Sequence, residues 1–598
     1  MFWMVENASS FKKTMIIGIV VGVISGIGAF LFFSGLKLGT HFVFENLMNY
    51  HYPIEGQSLE SISEWAPPAT IWLILPIICM GALLSGLLVY NFAPEAEGHG
   101  TDAAIKAFHG EGRIRWRVPI IKALASILTI STGGSAGREG PTAQISAGFG
   151  SIAADALKLS PRERRIALAT GIGAGIGTIF KAPLGGAILA AEILYTRDFE
   201  SDVIMPSFLA SIIGYSIFGF FEGYDPIFGT ASIHWEIPQI PLFLVLGIIC
   251  ALVGLLYIRV FYGTKKVFAD FFEKKHLPVV LKPVTGAFFI GVFVIVFSYI
   301  CPETMITALA SLGTGYGFMQ LAIYNMLPLA VLVLLPFTKI FTTSFTIGSG
   351  GSGGVFAPGL AIGGAAGGAF GMILHIFLPQ IVPLFTIPAF VIVGMISLFG
   401  GIANAPIAVM IMVVEMTSDF SLLVPAMGAV AVSTVLTGES TIFREQLRTK
   451  AQSPAHRGEY QIEILNEISA ESAMRKAGEL ICLSPQDSWE KVMNLMDSTH
   501  HTGFPVIDNG KLVGIVTYRD VWPEDNKLSS IGEIMKYPVI TIPPDSNLEK
   551  ALIIMMEKDI HHLPVTDKDN PDKVLGFITS TDIMRSYTKA VNLTKKSK

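Results

Sequence analysis

The sequence predicts an α-helical polytopic membrane body of two related halves with broken, re-entrant helices, followed by a soluble α/β tail. Three observations carry this prediction. Of 598 residues only 89 are charged (42 basic, 47 acidic), and 38 of these lie after residue 450. The tail therefore has the charge density of an ordinary soluble domain, and the body less than half of it. Mean hydropathy is +0.57, and the first apolar run, Thr14–Leu36, is longer than the roughly 20 residues a bilayer span needs. Two glycine-rich interruptions, centred on Glu139 and Phe356, lie 217 residues apart, about half of the body, as an internal duplication gives.

The start, Met1–Lys13, has no cleavage pattern of a signal peptide. Further apolar stretches follow at 70–92, 118–132, 163–180, 183–195, 203–221, 239–261, 283–300, 322–342, 355–378, 384–400, 405–416 and 421–437. Lys12 and Lys13 precede the first span, and Arg444, Arg448 and Lys450 follow the last. The positive-inside tendency places both termini in the cytoplasm. The expected organisation is a membrane body 1–450, a linker 451–470, two tail copies at 471–526 and 527–590, and a basic end 591–598.

Composition excludes several classes. A net charge of −5 supplies no field for nucleic acid. Cys79, Cys250, Cys301 and Cys482 have no paired spacing, so neither a disulfide framework nor a zinc ribbon is expected.

The breaks carry the chemistry. Unwound backbone at membrane depth must be buried in protein or face a watery cavity, and paired broken segments in two halves point to a transporter's binding site. In the first break, Gly137-Arg138-Glu139-Gly140 leads into Pro141, a residue favoured in the first turn of a helix. Unpaired N–H groups and the positive dipole end there make an anion site. A carboxylate at that place is an anion already seated, and an intramembrane glutamate is functional by default; a glutamate in an interfacial loop is the plainer alternative. The second break, Gly353-Gly354-Val355-Phe356-Ala357-Pro358, has the same form without a charge. It lacks the Gly-Lys-Ser/Thr ending of a phosphate-binding loop.

The tail contains a repeat. Ser484–Met493 recurs at Pro543–Leu552, Gly503–Asp508 at His562–Asp567, and Gly514–Asp520 at Gly576–Asp582. Short β-type runs (Pro505–Ile507, Leu512–Thr517) alternate with a helical one (Glu490–Asp497), so each copy is a small α/β unit.

Gly137–Pro141, Gly354–Pro358 and Pro94–Gly100 resemble the signature segments of the CLC chloride channel and transporter family, and Phe180–Gly186 resembles that family's Asn-Ala-Pro-Leu-containing helix. The resemblance covers residues 14–450. It implies two inverted-topology halves per subunit, a homodimer, one pathway per subunit for chloride or a similar small anion, and residence in the plasma membrane. By the same resemblance Glu139 matches the external gating glutamate, flanked by Gly137, Arg138 and Gly140, and the amides of Val355 and Phe356 match those that hold the central anion. Two positions depart: the central-site serine falls at His99, before Gly100, and the inner tyrosine at Phe443. Phe443 has no hydroxyl to donate, and His99 is either a ring donor or a packed neutral histidine. The inner proton-relay glutamate falls at Ile193, beside Glu192.

The tail repeat resembles a tandem CBS pair, whose Thr-x-x-Asp elements bind adenosyl ligands. Thr517, Asp520, Thr579 and Asp582 hold those positions, with the purine expected against Val513 or Ile515. This implies a regulatory adenine nucleotide (ATP, ADP or AMP), and otherwise no cofactor; a structural module with an empty cleft is the alternative. An intramembrane zinc protease needs His-Glu-x-x-His, and none of the 12 histidines is followed by glutamate. A divalent-cation transporter would want intramembrane carboxylate clusters. No enzymatic activity is expected. The reading is a proton-coupled anion exchanger; a passive chloride channel is the alternative, favoured by Ile193, which binds no proton.

Overall fold

The computed structural model describes residues 10–228, 233–456, 465–522 and 530–596. Residues 457–464 of the expected linker, 523–529 where the first tail copy ends and the second begins, and Ser597 and Lys598 of the basic end lie outside the described residues. The chain divides into two compact units at the Ala455–His456 junction.

The first unit is helical. Among the described residues nine segments are long and apolar enough to cross a membrane. In order, the helices are α1 (Ser10–Thr40), α2 (Ile74–Phe92), α3 (Thr101–His109), α4 (Arg117–Ser131), α5 (Glu139–Ala156), α6 (Pro161–Ile179), α7 (Pro183–Glu192) and α8 (Ser201–Glu222). There follow α9 (Ile240–Lys274), α10 (Leu281–Ser298), α11 (Pro302–Ala310), α12 (Tyr316–Ile323), α13 (Leu329–Ile347), α14 (Phe356–Phe377), α15 (Ile387–Ala403), α16 (Pro406–Thr417) and α17 (Leu423–Thr437). Two expected stretches change. The run 322–342 is not one segment: α12 ends at Ile323, Asn325 turns left-handed at φ 57, and Pro328 opens α13. The run 239–261 extends to Lys274 as α9, because the added turns carry charge on one side only. The short α3 and α11, too polar or too brief to register as apolar runs, are new.

Reciprocal bonding ties the halves together. Gly137 and Gly354 pair antiparallel, each N–H donating to the other's carbonyl at 2.7 Å. Ser126 meets Ser352 at 3.0 Å, and Thr343 meets Ser135 at 2.9 Å; each member of one pair lies 217 residues from its counterpart in the other. Ala136 N–H donates to Gly313 O, and Gly353 N–H to Gly98 O, both at 3.2 Å. Such exchange is what a two-fold axis between inverted repeats produces.

Lysines follow the same offset. Lys122 on α4, fully buried, donates to Ala96 O (3.0 Å) and Gly98 O (2.6 Å). Lys339 on α13, also fully buried, donates to Ser311 O, Leu312 O and Gly313 O at 3.1, 3.1 and 2.9 Å. Each ammonium is satisfied by carbonyls rather than left bare, which is the condition for burying it. Each clamps a Gly-x-Gly loop whose glycines (Gly98 and Gly100; Gly313 and Gly315) sit at positive φ, the region only glycine enters freely.

The centre is closely packed. Every residue of α15 is buried, as its all-round apolar sequence requires. It lies so close to α14 that a Cβ on Gly367 would fall 2.0 Å from Phe390 O; small residues make that approach between membrane helices possible.

The second unit is α/β. An antiparallel hairpin pairs β2 (Gly503–Asp508) with β3 (Lys511–Thr517), and a second sheet runs β1 (Arg475–Lys476), β5 (Val574–Thr579), β4 (His562–Thr566). Amphipathic α18 (Trp489–Thr499) and α19 (Leu548–Glu557) cover them, and α20 (Ser580–Lys596) follows β5. The strands and helix expected at 505–507, 512–517 and 490–497 are there, lengthened by one or two residues at one end or both.

Candidate anion site and gate

Three helices begin within reach of one another: α3 after His99-Gly100, α5 at Glu139, and α14 at Phe356. A Cβ on Gly140 would lie 2.1 Å from His99 O and 2.9 Å from the Gly354 Cα. The first turn of each helix leaves N–H groups without an intrahelical partner, so positive dipole ends converge where no lipid reaches.

Glu139 is completely buried. Its Oε1 accepts a 2.6 Å hydrogen bond from the Tyr316 hydroxyl. Its Oε2 has no hydrogen-bond partner among the described residues. The carboxylate lies beside the backbone amides of Glu139 itself and Ala357, where an anion between the two breaks would sit. A Cβ on Gly137 would come 2.1 Å from Oε2, so the carboxylate is accommodated only because residue 137 is glycine. Arg138 is buried, pairs with Glu55 at 2.9 Å, and reaches Glu139 Oε1 only at 4.0 Å. Its guanidinium lies over the rings of Phe33 and Tyr316 at 4.8 and 5.4 Å. Beyond Arg138 opens a cavity of about 410 Å³ lined by Lys37, Tyr52, Glu55, Lys181 and Asp225 among others.

Val355 and Phe356 are buried at the start of α14. The Phe356 ring packs on Phe399 (4.1 Å between centroids) and Phe180 (4.7 Å), so its backbone amide, not its side chain, is available to an anion. Rings continue from Phe399 to Phe443 (6.3 Å) and from Phe443 to His99 (5.6 Å). On the other side Phe180 approaches Tyr316 at 6.5 Å. A wall of aromatic rings thus runs from the partner of Glu139 to His99.

His99 is 4% exposed. Its Nε2 meets Asp102 Oδ2 at 3.1 Å, and its Nδ1 has no partner among the described residues. Asp102 Oδ1 also accepts from Glu445 N–H at 3.3 Å. Tyr316 and Asp102 were both missed by sequence reasoning. The i, i+3 spacing of His99 and Asp102 at a helix start was legible; the pairing of Tyr316 with Glu139, 177 residues apart, was not.

Glu192 and Ile193 end α7. The Glu192 carboxylate accepts from Ile407 N–H (3.3 Å) and Ala408 N–H (2.7 Å), capping α16. In return Glu415 at the end of α16 accepts from Leu184 N–H (3.2 Å) and Gly185 N–H (2.8 Å), capping α7. Ile193 is buried, and its carbonyl accepts from Gln446 Nε2 at 2.9 Å. Glu192 is therefore held as a helix cap.

In the tail the four expected residues form two capping boxes. Asp520 Oδ2 accepts from Thr517 N–H and Oγ1 (2.9 and 2.6 Å), and Asp582 Oδ2 from Thr579 N–H and Oγ1 (3.1 and 2.6 Å). Their second oxygens differ. Asp520 Oδ1 pairs with Lys536 at 3.1 Å, whereas Asp582 Oδ1 has Arg475 and Arg585 no nearer than 3.8 and 3.9 Å. Around Asp582, Arg475 Nη1 meets His501 Nε2 at 3.1 Å, and His562 Nε2 meets Thr502 Oγ1 at 3.1 Å. Burial, with His561 and His501 nearby, holds the His562 imidazole below its usual range despite Asp582. Val513 and Ile515 are half-buried on β3.

The comparisons agree with this architecture. The family model described as voltage gated chloride channel matches residues 81–438, and that of the CBS domain matches 470–521 and 531–589. An uncharacterized protein of Methanocaldococcus jannaschii is 32% identical over 384 residues, 64% of this chain and 89% of that one. The H(+)/Cl(−) exchange transporter ClcA of Salmonella typhimurium is 30% identical over 388 residues, 63% of this chain and 79% of that one. The crystal structure of a slow cyanobacterial Cl−/H+ antiporter matches with a TM-score of 0.59 at 23% identity, covering 72% of this chain and 96% of that one. Paired breaks, a seated glutamate between helix N-termini and these matches lead to one conclusion: the chain belongs to the CLC voltage gated chloride channel family and carries a tandem pair of CBS domains behind its membrane body.

Proposed function

We propose that this protein exchanges chloride or a similar small anion for protons, with Glu139 as the outer gate and Val355, Phe356 and the loop Gly98–Gly100 holding the anion within. The observation that carries this is the Glu139 carboxylate at the meeting of two helix N-termini, held by Tyr316. It occupies an anion's place with an anion that protonation can discharge. The 30% identical ClcA relatives, named as H(+)/Cl(−) exchange transporters, support the coupling. The protein acts as a homodimer in the plasma membrane, both termini cytoplasmic, and catalyses no covalent chemistry. The CBS pair takes an adenine nucleotide at Asp582 as regulator.

A passive channel is the second reading. It is favoured by Ile193 at the relay position and by the capping bonds that occupy Glu192. Proteoliposomes with an outward chloride gradient separate the two: an exchanger takes up protons against their gradient, and a channel moves chloride alone.

A further inference from the structure

The geometry points to His99 with Asp102 as a second proton-binding site, one that takes up a proton together with the anion. This rests on the anion-transport reading above. Asp102, as carboxylate, accepts at Oδ2, so His99 Nε2 is the N–H donor of that 3.1 Å bond. A neutral imidazole then carries only a lone pair on Nδ1, which repels an anion. Protonation places an N–H on Nδ1 without disturbing the bond to Asp102. Nδ1 is buried and has no partner among the described residues, beside the loop where the N-termini of α3, α5 and α14 converge. The imidazolium and an anion there stabilise each other, so proton and anion bind cooperatively. The step adds one proton to imidazole and needs no other reactant.

The proton has a route. The Asp102 side chain is 20% exposed against 4% for His99, so the carboxylate reaches water where the imidazole does not. The charges facing this pair favour an anion without cancelling the switch. Lys122 holds Gly98 O at 2.6 Å, and Lys265 acts on Asp102. Arg444 lies over the Tyr262 ring at 3.5 Å, and Glu445 is engaged by Lys106 at 3.4 Å. Glu97 is paired with Lys282 at 2.9 Å. The rings of Phe443, Phe399, Phe356 and Phe180 run from His99 to the partner of Glu139, so both proton sites border one anion lane. His99 thereby supplies a second titratable group, which Ile193 cannot.

The test is calorimetry of chloride binding to the purified full chain in a Glu139→Gln background, which removes the outer carboxyl. Chloride should bind at least fivefold more tightly at about pH 5.5 than at about pH 8, with net proton uptake read from buffers of different ionisation enthalpy. His99→Gln should flatten that dependence. Asp102→Asn, which leaves the imidazole in place, should move its midpoint to lower pH. An unchanged pH dependence in His99→Gln, or in Asp102→Asn should the first variant not fold, overturns the assignment. Absence of chloride heat in every variant, Glu139→Gln alone included, overturns the anion reading itself and this proposal with it.

Discussion

Replacing Tyr316 by phenylalanine removes one oxygen and nothing else from the gate. The hydroxyl donates to a buried carboxylate at 2.6 Å, the short, charge-assisted kind of hydrogen bond. Such a bond contributes about 1.5–3 kcal/mol. Its loss leaves Glu139 Oε1 with Arg138 only at 4.0 Å, and Oε2 already has no hydrogen-bond partner among the described residues. The seated carboxylate should therefore lose about a tenfold to hundredfold preference for its position, or one to two pH units at about 1.4 kcal/mol each. The side chain keeps its volume, so its packing against Phe180 and Phe228 is retained and folding is not at issue. Anion efflux from proteoliposomes, followed with a chloride electrode as outer pH is varied, reads the effect. The profile of Tyr316→Phe should move to higher pH by that amount, with faster flux near neutrality. A profile superimposable on that of the unsubstituted protein would refute the role of the hydroxyl, and with it the seating of the carboxylate as described.

Two further outcomes follow from the tail. Asp582→Ala should weaken ATP, ADP or AMP binding by about 1–3 kcal/mol, and Asp520→Ala by less, because Asp520 Oδ1 already pairs with Lys536; calorimetry showing equal losses, or no binding by the unsubstituted chain, would contradict the assignment. His562 is held below its usual range by burial and by its neighbouring imidazoles, so the unfolded chain binds the proton more readily and stability rises with pH through this window. The tail should be fully stabilised above about pH 6.5 and lose stability as pH falls below it; thermal unfolding of the full chain should show a flatter decline for His562→Gln, and an equal decline would place the cause elsewhere.

Much of this was legible before any coordinates. The 217-residue spacing between the breaks, the glycines around Glu139 and the Thr-x-x-Asp repeats are local patterns, and local patterns survive in a linear reading. Lys122 and Lys339 were equally legible: both stand in apolar runs 17 residues before Glu139 and Phe356, a coincidence that only a duplication explains. The rest is long-range. Tyr316 lies on α12, which belongs to the opposite half from Glu139, and nothing in its own sequence neighbourhood announces a partner 177 positions away. Glu192 entered as a proton-path candidate only by resemblance, because it stands beside the relay position at Ile193. The amides that occupy it belong to α16, 215 and 216 residues on, and the exchange of caps with Glu415 is visible only once the halves are inverted against each other. The single apolar stretch 322–342 divides at Asn325, which turns left-handed, and at Pro328, which opens the next helix, local turn chemistry that hydropathy alone does not register.

In the proposed mechanism Glu139 is a seated anion whose protonation opens the path. Chloride and proton movements measured together in proteoliposomes under an outward chloride gradient, for the unsubstituted chain and for Glu139→Gln, test it most directly. Proton uptake with chloride release is expected in the former, and in the latter chloride release that is uncoupled from protons and indifferent to outer pH. Proton movement and outer-pH dependence that persist unchanged in Glu139→Gln would contradict it.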